Sequence, residues 1–121
     1  MQVFTSIKDL TKNKNTILTL GTFDGIHPGH LKIIDKLVEC SKDKGCRNVV
    51  ITFHPHPRTV LGSGGDIKML TTQDERKNLL EKHGVENFLT INFTKDFASL
   101  TAEQFIYDYL VNGIGLSEIV L

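Results

Sequence analysis

What this sequence lacks narrows it before any motif is read. Lys and Arg number 14 and Asp and Glu number 14. With no excess of either sign, the overall charge gives no sign of a nucleic-acid surface or an anionic membrane partner. The start, "MQVFTSIKDL", has no apolar stretch of signal-peptide length, and no run approaches the length of a bilayer span. These absences point to a cytoplasmic protein. The two cysteines, Cys40 and Cys46, make no C-x-x-C pattern, so they read as free thiols rather than as a staple or metal knuckle. There is no low-complexity tract and no internal repeat. What remains, 121 residues with 40% hydrophobic and 23% charged side chains, suits one ordinary globular domain.

The residues that are present alternate between strand and helix patterns. "TILTLG" (16–21) is a short, partly β-branched apolar run closed by glycine, as expected of a buried strand. From His30 onward, Leu31, Ile34, Leu37 and Val38 recur at helical spacing, with Gly45 placed as a C-cap. "NVVITFH" (48–54) predicts a second strand, which the prolines of "PHP" end. The glycine-rich "LGSGGD" (61–66) predicts a loop, and Gly62 to Gly65 fit either a lid or an insertion. Thr72 with Glu75 forms a capping-box pattern before a helix that Gly84 stops. "ENFLTINF" (86–93) predicts a third strand. Thr101 with Gln104 repeats the capping box before "FIYDYLVNG", where Gly113 is the expected stop, and "SEIVL" predicts a fourth strand.

Such alternation predicts an α/β fold with a parallel sheet and right-handed crossovers. In open sheets of this kind, ligands bind beyond the carboxyl ends of the strands, where strand order reverses. The apolar finish "EIVL" has no turn or polar tail, which suggests a fold cut after its fourth main strand.

Between the first strand and the first helix stands "GTFDGIHPGH" (21–30). A Walker A loop requires a lysine that this stretch lacks, and a dinucleotide fingerprint requires G-x-G-x-x-G, whereas Gly21, Gly25 and Gly29 are spaced by four. What is left is a glycine-bearing loop at a helix N-terminus, a place that favours an anion. Phosphate fits best, with the His27 and His30 imidazoles as hydrogen-bond donors. Taken alone, Asp24 is equally a turn former and Phe23 reads as core.

The stretch resembles the G-x-F-D-G-x-H-x-G-H signature of FAD synthetases, within the H-x-G-H nucleotidylyltransferase superfamily. Gly25 favours the flavin branch, since sister transferases resemble the motif with a bulky residue or proline there. "TFHPHPR" (52–58) is similar to a second motif of that family, T-F-x-P-H-P. "LTTQDERKNLLEKHGVENFL" and "FTKDFASLTAEQFI" are similar to its later segments. His54 departs from the acidic residue often found before P-H-P.

The resemblance implies a Rossmann-like, three-layer nucleotidylyltransferase fold, with residues 1–121 forming part of an FMN adenylyltransferase domain. It implies continuation beyond Leu121 into further flavin and ATP motifs and, usually, a riboflavin kinase domain. It also implies transfer of AMP from ATP to FMN, giving FAD and pyrophosphate, with Mg2+ accompanying ATP and no metal held by the protein itself. His27 and His30 would be catalytic, and Gly21, Thr22, Phe23, Asp24, Gly25 and Gly29 would lie on the nucleotide side. Phe53, His56, Pro57 and Arg58 would lie on the flavin side. The small molecules ATP and FMN are then the expected partners, and oligomeric state is not readable.

Two alternatives stay open at this point. One is a sister transferase that makes a different activated nucleotide. The other is a metal module using His27, His30, His54 and His56, against which stand the Pro-Gly turn inside H-x-x-H and the lack of cysteine partners.

Overall fold

The computed structural model describes residues 1–21, 28–54 and 73–121. Five strands form one parallel sheet: β1 (Gln2–Phe4), β2 (Thr16–Leu20), β3 (Arg47–His54), β4 (Asn87–Asn92) and β5 (Leu116–Ile119). Their spatial order is β1-β4-β3-β2-β5. The chain steps outward from β2 to β3 to β4, then returns to place β5 on the other side of β2. The reversal of direction therefore falls between β2 and β5, and the loop leaving β2 opens there.

The three central strands are apolar on both faces because helices cover both. Side chains alternate between the two sides along each strand. Ile17, Val50 and Phe88 turn to a core shared with Ile34, Leu37 and Val38 of α1 (Pro28–Lys44) and Leu80 of α2 (Gln73–Lys82). Leu18, Val49, Ile51, Leu89 and Ile91 turn the other way, onto Leu110 and Ile114. Ile17, Leu18, Val49, Val50 and Ile51 have no measurable exposure, so the α/β expectation and its parallel sheet hold.

Polar side chains lock the amino end of the sheet. The carboxamide of Asn48, 1% exposed, donates to Ser41 Oγ and to the Gly84 carbonyl, both at 3.3 Å, and accepts from the Glu86 N–H at 2.6 Å. One side chain thus joins α1, the end of α2 and the start of β4. Half-buried Arg47 donates from Nε to Thr16 Oγ1 at 2.7 Å and from Nη2 to the Ile114 carbonyl at 3.0 Å. Burial pulls its pKa below the usual guanidinium value, and these bonds to neutral acceptors hold it in place.

The ends of the helices follow the glycines, with one correction. Gly45 (φ +64°) closes α1 in a Schellman motif, with Gly45 N–H to Lys42 O at 3.3 Å and Cys46 N–H to Ser41 O at 2.8 Å. Gly84 (φ +93°) stops α2 as expected. The Thr72 half of its capping box and the Gly62–Gly65 loop lie outside the described residues. The Thr101–Gln104 capping box is complete and opens α4 (Ala102–Gln104). α4 runs directly into a π-helix, Phe105–Ile114. Gly113 lies inside that helix and does not stop it. The stop is Gly115 (φ +93°), whose N–H reaches back to Leu110 O at 2.9 Å. A Cβ on Gly115 would stand 2.6 Å from the Asn13 carbonyl carbon and oxygen. The position is therefore fixed by a close backbone approach, a contact invisible to local sequence.

Three further elements depart from the sequence reading. β1 extends the sheet to five strands, a 3-10 turn covers Ile7–Asp9, and α3 (Lys95–Ala98) is capped by the Thr94 side chain, which accepts from Phe97 N–H at 3.0 Å. Cys40 and Cys46 are free thiols, as expected.

Candidate functional site at the carboxyl edge of the sheet

β2 delivers the chain to Gly21, whose N–H donates to Ile51 O at 3.0 Å and so holds it beside β3 one residue past the strand. Thr22, Phe23, Asp24, Gly25 and His27 lie outside the described residues. The chain returns at Pro28 as the first residue of α1, a position suited to proline because that N–H has no helical partner.

The polarity of α1 suits an anion at its start. Its first turn has no acidic side chain, and Lys42 and Lys44 occupy its last turn, so the helix places no carboxylate of its own at its positive end. Gly29 is exposed, and a Cβ placed on it meets nothing within 4 Å. Packing against the described residues therefore does not demand glycine there. His30 is half-buried. It stands four residues before Ile34 on the stripe that faces the sheet.

Phe53 lies on the opposite face of the same sheet edge. Its ring packs at 5.8 Å from Phe93, 6.0 Å from Phe97 and 6.5 Å from Phe105. Tyr109 closes the group, 5.5 Å edge-on from Phe97 and 5.9 Å from Phe105. All five rings are half-buried, so their edges and faces reach the surface together. A cleft of about 710 Å³ adjoins them at the carboxyl ends of β1 and β4. Phe97, Tyr109, Ile7 and Leu100 line it, with Asn92 and Lys8 among its polar groups. Its volume falls in the range of small-molecule pockets.

Of the flavin-side residues expected from sequence, the structure places Phe53, while His56, Pro57 and Arg58 lie outside the described residues. His54 is exposed at the end of β3. Among the described residues, no three His, Cys, Asp or Glu side chains come together in a way that could hold a metal ion. The sequence reading missed Phe93, Phe97, Phe105 and Tyr109. A local signal was present for one pair: "FIYDY" repeats an aromatic residue at i and i+4, about one turn apart on a helix, whereas Phe93 precedes the Thr94 cap of α3 and meets Phe97 outside the helix.

A parallel sheet whose order reverses beside a helix N-terminus places the chain in the class of open α/β domains, which bind ligands at that edge. The comparisons narrow this. The family model of FAD synthetase matches residues 9–121, and the chain belongs to that family. It is 38% identical over 97 residues to the bifunctional riboflavin kinase/FMN adenylyltransferase of Bacillus subtilis strain 168, covering 79% of this chain and 31% of that protein. The protein of the same name from Escherichia coli K12 is 32% identical over 113 residues, covering 92% of this chain and 36% of its relative. The chain thus spans about a third of the length of these curated relatives. A crystal structure titled macrolide-efflux protein, from Streptococcus pneumoniae, superposes with TM-score 0.81 at 27% identity. It covers 98% of this chain and 46% of that one. Among the described residues, no helix is long and apolar enough to cross a membrane.

Proposed function

We propose that this chain forms part of the adenylyl-transfer domain of an FAD-forming enzyme of the cytoplasm. The FMN phosphate oxygen attacks the α-phosphorus of ATP, a new P–O bond forms, the α–β anhydride bond breaks, and pyrophosphate leaves. The observation that carries this reading is the match to the FAD synthetase family over residues 9–121.

The chemistry asks little covalent work of the protein. Phosphoryl and nucleotidyl transfers depend on in-line placement and on donors aimed at oxygens that gain charge. His27 and His30 are placed by sequence on either side of Pro28 and Gly29, and the positive end of α1 lies behind them. Gly21, Thr22, Phe23, Asp24, Gly25 and Gly29 supply the loop and helix start that receive the ATP phosphates. Magnesium enters as part of the Mg-ATP substrate and screens its phosphate charge, with no side chain of this chain assigned to it. On the other face, Phe53 and its neighbouring rings offer a planar, apolar surface for the isoalloxazine ring, and His56, Pro57 and Arg58 are assigned to the same substrate from the sequence motif.

Labelled ATP offered together with FMN, pantetheine phosphate or glycerol phosphate tests the assignment. Label should appear in FAD alone; transfer to either of the other acceptors in preference to FMN would contradict it.

A further inference from the structure

A π-helix of 10 residues is a rare element, and even single π turns concentrate at functional sites. The one over Phe105–Ile114 holds two pairs of side chains. Leu110 and Ile114, with no measurable exposure, belong to the core on this side of the sheet. Phe105 and Tyr109, both half-buried, belong to the ring cluster: each lies 5.5 Å from Phe97, and they are 5.9 Å from one another.

Either pair alone is served by an α-helix, because its members are four residues apart. The two pairs together are not. Five residues lead from Phe105 to Leu110 and from Tyr109 to Ile114, and in an α-helix a step of five turns the side chain about 140° away. An α-helix that buried Leu110 and Ile114 would swing both rings out of the cluster. Bonds from residue i to i+5 bring the chain round more slowly, so residues four and five apart share a face. The bond from Gly115 N–H to Leu110 O, at 2.9 Å, has this spacing. Exposure follows the same period, with Ile106, Tyr107, Asp108 and Asn112 outside.

The ring pair, and not the core pair, faces a cavity. Tyr109 and Phe97 both line the cleft of about 710 Å³, with their planes at 89°. A flat heterocycle stacked on one ring meets the edge of the other, which is the favoured arrangement of aromatic groups. Ile7 and Lys8 of the 3-10 turn line the cleft as well, and Gly113 lets the helix close on that turn, since a Cβ there would stand 3.1 Å from Ile7 Cγ2.

We infer that the π register of Phe105–Ile114 serves the acceptor cleft: it carries the Tyr109 ring onto the cleft wall beside Phe97, where Tyr109 contacts the flat heterocycle of the acceptor. The inference rests on the flavin reading above. Burial of Leu110 and Ile114 alone would leave the helix in the commoner α form.

Deleting exposed Tyr107 tests this. Phe105, Leu110 and Ile114 then fall four apart, as an α-helix needs, while Tyr109 stays five before Ile114 and is the one ring turned away. The variant should unfold at a midpoint no lower than the parent's and lose the Tyr109–Phe97 ring contact in proton NMR spectra of ligand-free protein. It should bind FMN about tenfold more weakly by calorimetry, with Mg-ATP affinity unchanged. Tyr109→Leu, at full chain length, should weaken FMN binding by about the same factor. Parental FMN affinity in Tyr109→Leu would overturn the inference, and so would a folded deletion variant that keeps the ring contact. Deleting Ile106 gives the same spacing; failure of both deletions to fold would place the π register in core packing and overturn it too. If the parent binds no FMN, the flavin reading fails instead, and the ring contact in the deletion variants still decides whether the π register places Tyr109.

Discussion

The two faces of the sheet's carboxyl edge differ in kind. On the α1 side, the residues near the surface are small or polar: Gly29, His30 and the buried pair Thr52 and Arg76. On the π-helix side, five aromatic rings form a chain of contacts with neighbouring centroids 5.5 to 6.5 Å apart. The proposed function assigns the phosphates to the first face and the flat flavin ring to the second. The strand that links them is β3, which sends Thr52 to one side and Phe53 to the other.

Removing the polar side should have the largest effect on chemistry. His30→Ala should lower adenylyl transfer by on the order of a hundredfold with the fold intact, as loss of one transition-state donor typically does. Unchanged turnover, checked beside circular dichroism, would break the division of labour. On the aromatic side, Phe97→Ala should weaken FMN binding about tenfold through lost ring packing while leaving Mg-ATP affinity unchanged. Calorimetry with each ligand separates the two outcomes.

The next effects are on stability and check that the faces are held by the elements described. Gly115→Ala places a Cβ 2.6 Å from the Asn13 backbone at φ +93°, and should cost about 2 kcal/mol or more in a urea melt. Asn48→Ala removes the acceptor of the Glu86 N–H and the donor to the Gly84 carbonyl, a loss of roughly 2 kcal/mol.

The smallest effect concerns Lys44 at the end of α1. Its hydrogen bond to Glu118, at 2.8 Å, and the attraction of that carboxylate raise its pKa above 10.5. A raised pKa means the contribution is complete below 10.5 and is lost as pH climbs through the folded value. Both side chains are largely solvent-exposed, so the loss should be small and should vanish in high salt.

Much of this was legible in the sequence because it is local. Short apolar runs marked β2, β3 and β4, helical spacing marked α1, the Thr101–Gln104 capping box marked the helix over "FIYDYLVNG", and Gly45 and Gly84 marked two helix ends. The misses have non-local causes. β1 is three residues long, and its pairing with Asn87, Phe88 and Leu89 leaves no pattern in "QVF" itself. Gly113 and Gly115 are equivalent stop signals by composition, and only the approach of Asn13 selects Gly115. The aromatic cluster draws rings from β3, the residue after β4, α3 and the π-helix, so it exists only once the sheet has formed.

The central claim is that phosphates and flavin ring occupy opposite faces of one strand edge. Titration of FMN into the chain, followed by quenching of flavin fluorescence, tests it most directly. The account predicts quenching that Phe97→Ala abolishes or weakens about tenfold and that His30→Ala leaves nearly intact. Quenching indifferent to Phe97, or lost equally in both variants, would contradict it.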